Sequence, residues 1–181
     1  MRAFVAIDLP ALEGPLPSGL RPEDHLTLHF FEELPVERVP PVVEAMTEAA
    51  RAWAPFTVEV HGIGAFPRLD RPRVVWAGVG EGSTEVQGLT NRLRQSLATR
   101  GFAIERRPFV PHLTLARVRS STEAVWAGRL LVDPALATRR WVRATVSELL
   151  LKESELLPTG ARHTVRERVR LSGAPPATSS P

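Results

Sequence analysis

The sequence contains no cysteine and no tyrosine, and Lys152 is its single lysine. The absence of cysteine excludes disulfides and thiolate metal sites, and it is compatible with a reducing cytoplasm. No targeting or membrane-spanning segment is visible. The N-terminal apolar run 3–9 is short, contains Asp8, ends at Pro10 and lacks a signal-peptide cleavage pattern. We therefore expect a cytoplasmic protein that has no membrane partner.

The charge balance is modest, and its basic side is almost entirely arginine. The formal net charge at pH 7 is +3, although the sequence pI is about 10.7. Almost nothing titrates between histidine and arginine, so a small arginine surplus sets this pI. Arginine suits phosphate recognition because its guanidinium binds bidentately, but genome composition explains the same bias equally well. The small net charge argues against a high-affinity, non-specific RNA binder.

Apolar periodicity predicts an α+β protein. Predicted strands cover 2–9, 25–31, 56–66, 73–79, 112–118, 141–152 and 163–171, and predicted helices cover 36–54, 83–100 and 123–131. The strands do not alternate one for one with helices, which favours largely antiparallel sheets. We expect one bilobal domain over 1–171 and a disordered, polar, proline-rich tail over 172–181.

One tetrapeptide occurs twice, as His25-Leu26-Thr27-Leu28 and as His112-Leu113-Thr114-Leu115, 87 positions apart. Each copy begins a predicted strand and follows a proline-containing loop. In a strand, the histidine and threonine point to one face and the leucines to the other. The pattern predicts two lobes, each anchored by its leucines, that present two imidazoles and two hydroxyls to a shared groove.

These side chains match the needs of cyclic phosphodiester cleavage. Two histidines with an ordinary pKa of about 6.5 can serve as an acid and a base near neutral pH. The hydroxyls of Thr27 and Thr114 can donate hydrogen bonds to non-bridging phosphate oxygens. A single His-x-Thr would more often be structural, and the repetition is what favours catalysis. The scheme requires no metal and no cofactor, and a carboxylate-assisted metal site is a minor alternative.

The chain resembles the two-histidine phosphoesterases, and among them the RNA 2′,3′-cyclic phosphodiesterases, also described as 2′-5′ RNA ligases. The resemblance extends over about 1–171 and is carried by both tetrapeptides and by four further segments. These segments are Arg2 to Pro10, Arg73 to Trp76, the Arg-Pro-Phe-Val-Pro lead-in at 107–111, and Ser154 with Gly160 to Arg162. The chain departs from the family in its short 10–22 stretch, in Glu32-Glu33, and in His163, where tyrosine is usual.

The resemblance implies a bilobal fold with two mainly antiparallel sheets, pseudo-twofold symmetry, a central groove and outer helices. It implies hydrolysis of a ribose 2′,3′-cyclic phosphate to a 2′-phosphate, on RNA ends or nucleotides. It implies that His25 is the proton donor and His112 the proton acceptor, which the sequence alone does not distinguish.

Other residues are weaker candidates for substrate contact. Arg107 could clamp a phosphate and Phe109 could stack on a base, although packing explains Phe109 equally well. Strand parity places Arg117 on the leucine face, away from His112, unless a bulge intervenes. The same parity places His29 on the His25 face, as a groove-end or surface residue. Trp76 is expected in the core.

Two other functions stay open beside cyclic phosphate hydrolysis. A 2′-5′ RNA ligase would run the same chemistry in reverse, with a 5′-hydroxyl in place of water. A non-catalytic protein that binds RNA ends belongs to a different class. The paired histidines and threonines favour an enzyme, because binding alone does not need two imidazoles.

Overall fold

The computed structural model describes residues 1–158 and 160–174, which contain eight strands, four α-helices and one short 3₁₀ helix at Val36–Arg38. The strands are β1 (Ala3–Asp8), β2 (His25–Phe31), β3 (Phe56–Arg68), β4 (Arg71–Val79), β5 (His112–Arg117), β6 (Arg140–Val146), β7 (Glu148–Leu157) and β8 (Gly160–Arg170). The helices are α1 (Val39–Ala50), α2 (Ser83–Thr99), α3 (Ser121–Leu131) and α4 (Pro134–Ala137).

The strands pair in the order β6-β3-β4-β5-β2-β1-β7-β8, and every pair is antiparallel. The two four-stranded halves meet where β2 and β5 pair at Leu26 and Leu113. These leucines are equivalent positions of the two tetrapeptides, so their antiparallel pairing defines a local twofold relation between the halves. The predicted bilobal α+β fold is confirmed, with the two sheets joined at their central edge.

The helices cover the two halves of the sheet separately. α1 and α2 pack on each other and against the half of the sheet formed by β2, β1, β7 and β8. α3 and α4 pack against the half formed by β6, β3, β4 and β5. In α2 the fully buried Val86, Leu89, Leu93 and Leu97 follow helical spacing, which gives that helix its apolar stripe. Gly101 has φ +74°, the left-handed conformation that suits a residue just past a helix end.

The predicted strand 141–152 is two strands, because the chain changes partner at Ser147. β6 pairs with β3 in one half, and β7 pairs with β1 in the other. The apolar pattern runs on through the crossing point, so periodicity does not reveal the change. Helix α4 was not predicted, and its four residues are too few for a periodic signal.

Both tetrapeptide strands carry a β-bulge at the fourth motif residue. Val5 and Ala6 of β1 pair with His29 and Thr27, which leaves Leu28 unpaired. Val75 and Trp76 of β4 pair with Ala116 and Thr114, which leaves Leu115 unpaired. An extra residue reverses the alternation of faces beyond it. The parity predictions for residues after each motif are therefore wrong, with the consequences given below.

A third bulge lies in β3. The register of β3 against β4 shifts between His61 and Gly64, and Gly62 has φ +68°. Glycine adopts that conformation without the steric cost that a side chain would add.

The predicted tail begins within the described part of the chain. The backbone amides of Ser172 and Gly173 donate to the carbonyls of Ala50 and Trp53, at 3.2 and 2.9 Å. Residues 175–181 lie outside the described residues, so the disordered tail and the boundary at 171 stay predictions. In the described part of the chain, no helix is both long and apolar enough to cross a membrane.

Candidate active site

The two tetrapeptides lie side by side at the centre of the sheet. Leu26 and Leu113, each fully buried, pair directly and face the core. The residues that flank these leucines point to the opposite face, which we call the histidine face. It carries His25 and Thr27 from β2, and His112 and Thr114 from β5. The structure therefore brings the four predicted site residues together on one surface.

The segment before β2 forms backbone hydrogen bonds with β5. Its Arg21 and Glu23 amides donate to the carbonyls of Leu115 and Thr114, at 3.0 and 2.9 Å. The Glu23 carboxylate then lies between the motifs. One of its oxygens is 3.5 Å from His25 Nε2, and the other accepts a 2.7 Å hydrogen bond from the Arg117 guanidinium.

Arg117 lies on the histidine face because the bulge at Leu115 reverses the parity of β5. The expectation that it shares the leucine face is wrong, and the intervening bulge is the physical reason. Its guanidinium is about half exposed, at 55%. A phosphate bound between the histidines would therefore have an accessible cation beside it.

His25 is held by a carboxylate. Its Nδ1 is 2.9 Å from Asp24 Oδ1, and since a carboxylate accepts, this nitrogen carries the hydrogen. The ring is 3% exposed and stacks on Phe4, with centroids 4.7 Å apart. Nε2 is thereby directed toward the Glu23 carboxylate.

A buried lysine completes this side of the site. Lys152 is 4% exposed, and its Nζ donates to Asp8 Oδ1 at 2.6 Å and lies 3.8 Å from Asp24 Oδ1. Burial raises the pKa of Asp24, but the hydrogen bond with His25 and the charge of Lys152 outweigh it. The pKa of Asp24 is lowered as a result, and the carboxylate stays charged.

His112 has a different partner. Its Nδ1 donates to the Val110 carbonyl at 2.7 Å, so in the neutral ring Nε2 carries no hydrogen and can accept one. Burial lowers the pKa of His112, against the opposing effects of the Val110 carbonyl and Glu23. The two histidines therefore differ in their Nδ1 partners, a carboxylate at His25 and a backbone carbonyl at His112.

Two aromatic side chains flank His112. Phe66 meets its ring edge-on at 5.0 Å, and Trp76 lies at 6.2 Å. Trp76 pairs with Thr114 and is half-buried on the histidine face, where it lies across Gly64. The prediction of a core position for Trp76 is wrong, because β4 alternates regularly: Val75 and Ala77 are fully buried on the core face, and Trp76 between them points to the other face.

His163 approaches the other histidine. Its ring is edge-on to His25 at 5.2 Å and to Phe4 at 4.9 Å. Burial lowers its pKa, and the neighbouring His25 lowers it further. Ligand atoms of Asp24, His25 and His163 lie within 4.8 Å of one another, so they are the described residues that could hold a metal ion. The Lys152 ammonium already supplies positive charge there, and the absence of a metal requirement stays a prediction.

His29 is a core residue and not a surface residue as predicted. It follows the bulge at Leu28 and is 5% exposed, with its ring against Phe31 at 4.6 Å. Burial, with a smaller effect from Arg94, lowers the pKa of His29 to about 4. The Arg94 guanidinium also donates to the Leu28 carbonyl at 3.2 Å, so it supports the bulge.

Among the described residues, neither of the two weaker candidates forms an aromatic pair or a salt bridge with a motif histidine. The Arg107 side chain is 89% exposed, 3.8 Å from Glu105. Phe109 is half-buried, and the Arg94 guanidinium carbon lies 5.2 Å from its ring centroid. The described aromatic contacts do not join Phe109 to either motif histidine. Their roles in substrate contact stay predictions.

Sequence reasoning did not select Glu23 or Asp24 as site residues. A signal was present, because two carboxylates directly precede His25. Phe4, Phe66 and Lys152 gave no comparable signal, since they come from distant strands and only the fold brings them to the histidines.

The fold and the paired motifs define a two-lobed phosphoesterase-like protein, and comparison with known families agrees. The family model described as the 2'-5' RNA ligase superfamily matches residues 15–154, and the chain belongs to this family.

Relatives named RNA 2',3'-cyclic phosphodiesterase match most of the chain. The one from Aeropyrum pernix is 35% identical over 136 residues, 75% of each chain. The one from Methanothermobacter thermautotrophicus is 31% identical over 186 residues, 94% of this chain and 99% of the relative.

Solved structures agree with the fold. TT0787 of Thermus thermophilus has a TM-score of 0.69 at 28% identity, and the match covers 96% of this chain and 99% of that protein. Escherichia coli LigT in complex with 3'-AMP has a TM-score of 0.65 at 26% identity, and the match covers 94% and 98%.

Proposed function

We propose that this protein hydrolyses the 2′,3′-cyclic phosphate of RNA ends or nucleotides to a 2′-phosphate, by metal-independent catalysis with two histidines. The observation that carries the proposal is the pair of imidazoles on adjoining strands, with a carboxylate partner at His25 and a carbonyl partner at His112. The names of the relatives supply the cyclic phosphate and the RNA.

In the proposed reaction, water attacks the phosphorus and its proton passes to Nε2 of His112. The bond from phosphorus to O3′ breaks, and Nε2 of His25 donates its proton to O3′. The lowered pKa of His112 supports its role as acceptor, and the hydrogen bond from His25 Nδ1 to Asp24 orients Nε2 of His25 for its role as donor. This arrangement favours the donor and acceptor roles that the family resemblance implies.

The other polar groups would stabilise the phosphate. Thr27 and Thr114 would donate their hydroxyl hydrogens to the non-bridging oxygens, where charge builds up in the transition state. Arg117 would add a charge-assisted contact once its guanidinium turns from Glu23 to the phosphate.

A second candidate function is 2′-5′ RNA ligation, which the family description favours. The 5′-hydroxyl of another RNA end would take the place of water and attack the cyclic phosphate, and the same two histidines would move the protons. Hydrolysis is preferred because the relatives that match most of the chain bear the phosphodiesterase name.

Phosphorus NMR of the products tests the proposal. Nucleoside 2′,3′-cyclic phosphate should become the 2′-phosphate, and EDTA should leave the rate unchanged. His25→Ala and His112→Ala should each lower kcat by about 10²-fold or more, and His61→Ala, which removes an exposed histidine, is the control. Complete loss of activity in EDTA, or near-wild-type rates for either motif variant, would contradict the mechanism. Accumulation of ligated product would favour the second function.

A further inference from the structure

Phe30 is an exposed aromatic side chain on the histidine face. It is 41% exposed, and in the described part of the chain it is the one aromatic among the exposed large hydrophobic residues. Phe30 pairs directly with Phe4, whose ring stacks on His25. Directly paired residues of antiparallel strands share a face. Phe30 therefore lies on the surface that carries the catalytic groups.

The exposure of Phe30 follows from the bulge and not from the strand pattern. Regular alternation would put Phe30 in the core beside Leu26 and Leu28. The unpaired Leu28 reverses this, so that His29 becomes buried and Phe30 faces solvent. Arg94 donates to the Leu28 carbonyl from α2 and helps to hold the bulge.

A cation lies over the exposed ring. The Arg2 guanidinium carbon is 5.2 Å from the Phe30 centroid. Among residues 1–158 and 160–174, no carboxylate lies within salt-bridge distance of Arg2. The Arg2 carbonyl accepts from the Ser154 amide at 2.8 Å, which fixes the backbone beneath the side chain. An exposed aromatic ring and an unpaired guanidinium are thus fixed side by side.

The pair lies away from the reacting phosphate. His25 is paired with Asp8, and Phe30 with Phe4, so four residues of β1 separate them. At about 3.3 Å per residue this is about 13 Å along the strand. The Phe4 ring lies between them and stacks on His25, so Phe30 lies one ring farther from the imidazole than Phe4 does.

We propose that Phe30 and Arg2 form a subsite for the nucleotide on the 5′ side of the cyclic phosphate, with the base stacked on Phe30 and a backbone phosphate bound by Arg2. A 2′,3′-cyclic phosphate ends an RNA chain, so the rest of the RNA leaves the site in the 5′ direction. Unpaired RNA bases stack on aromatic side chains, and guanidinium binds phosphate. The inference rests on the proposed function and gives it a substrate class, single-stranded RNA rather than mononucleotides alone.

The experiment compares two substrates, adenosine 2′,3′-cyclic phosphate and an adenosine trinucleotide that ends in the cyclic phosphate. The wild type should have the higher kcat/KM for the trinucleotide. Phe30→Ala should lower kcat/KM for the trinucleotide by about 5- to 150-fold, the value of one base stacked on an aromatic ring. The mononucleotide value should change by less than about 2-fold, because the proposed subsite binds the base 5′ of the terminal nucleotide, which the mononucleotide lacks.

Three variants make the assignment specific. Phe30→Tyr should retain the preference for the trinucleotide because it keeps a stacking ring. Arg2→Gln should raise KM for the trinucleotide and flatten its salt dependence, since one phosphate contact is lost. Val132→Ala, which trims an 80% exposed apolar side chain elsewhere, should behave as wild type.

Equal losses on both substrates in Phe30→Ala, or no loss on the trinucleotide, would overturn the subsite. Failure of the wild type to hydrolyse either substrate would overturn the proposed function instead. Fluorescence anisotropy with a labelled trinucleotide then still tests the subsite without turnover. Phe30→Ala should weaken binding, and unchanged binding would overturn the inference.

Discussion

Replacing His29 with leucine should remove part of the pH dependence of folding. Burial lowers the pKa of His29 from 6.5 to about 4, whereas in the unfolded chain it has its ordinary value. Between these values the unfolded chain binds a proton that the folded chain does not. The lowered pKa of His29 therefore has little effect on the free energy of unfolding above pH 6.5, and it reduces that free energy as the pH falls toward 4. The reduction is about 2 kcal/mol at pH 5 and about 3 kcal/mol at pH 4.

Urea unfolding at pH 7, 5 and 4 measures this effect. From pH 7 to pH 5 the free energy of unfolding should fall about 2 kcal/mol more in the wild type than in His29→Leu. His61→Leu is the matched control, since His61 lies exposed on β3, and its curve should follow the wild type. Parallel pH profiles for the wild type and His29→Leu would refute the buried position of His29. The Leu28 bulge, which also exposes Phe30, would then be in doubt.

Three further predictions concern the active site. Asp24→Asn should lower kcat roughly 3- to 10-fold, because a neutral hydrogen bond to His25 is about half as strong as the bond to a carboxylate. Asp70→Asn is the control, and an unchanged kcat in Asp24→Asn would contradict the role of Asp24. Arg117→Ala should raise KM about 10-fold or more by removing a charge-assisted phosphate contact. The control is Arg119→Ala, which removes an exposed arginine, and an equal KM in the two variants would exclude that contact. The acidic limb of the kcat/KM profile should have its midpoint below pH 6.5, because burial lowers the pKa of His112, the proposed proton acceptor. A midpoint above 6.5 would contradict that assignment.

Much of the fold could be predicted because its signals are local. The alternation in His25–Phe31 and the helical stripe of α2 each lie within one element. The change of partner at Ser147 could not be predicted, because the run 141–152 is apolar on both sides of it. Which sheet half a strand joins depends on tertiary pairing, and this leaves no mark on local periodicity.

The positions of the candidate site residues could be predicted in part. The repeated tetrapeptide identifies His25, Thr27, His112 and Thr114, and the structure places all four on one face. The two bulges escaped prediction, since Leu28 and Leu115 fit an unbroken strand pattern. The faces of His29 and Arg117 were therefore assigned incorrectly, although each assignment followed regular strand geometry.

A double-mutant kinetic cycle tests most directly whether His25 and His112 act in one chemical step. The rates of His25→Ala, His112→Ala and the double variant are measured on adenosine 2′,3′-cyclic phosphate, with thermal unfolding to show that each variant is folded. Each single variant should lose about 10²- to 10⁴-fold in kcat. The double variant should lose much less than the product of the two, because either change already disables the shared step. Losses that multiply fully, or a single variant with near-wild-type kcat, would contradict paired acid–base catalysis.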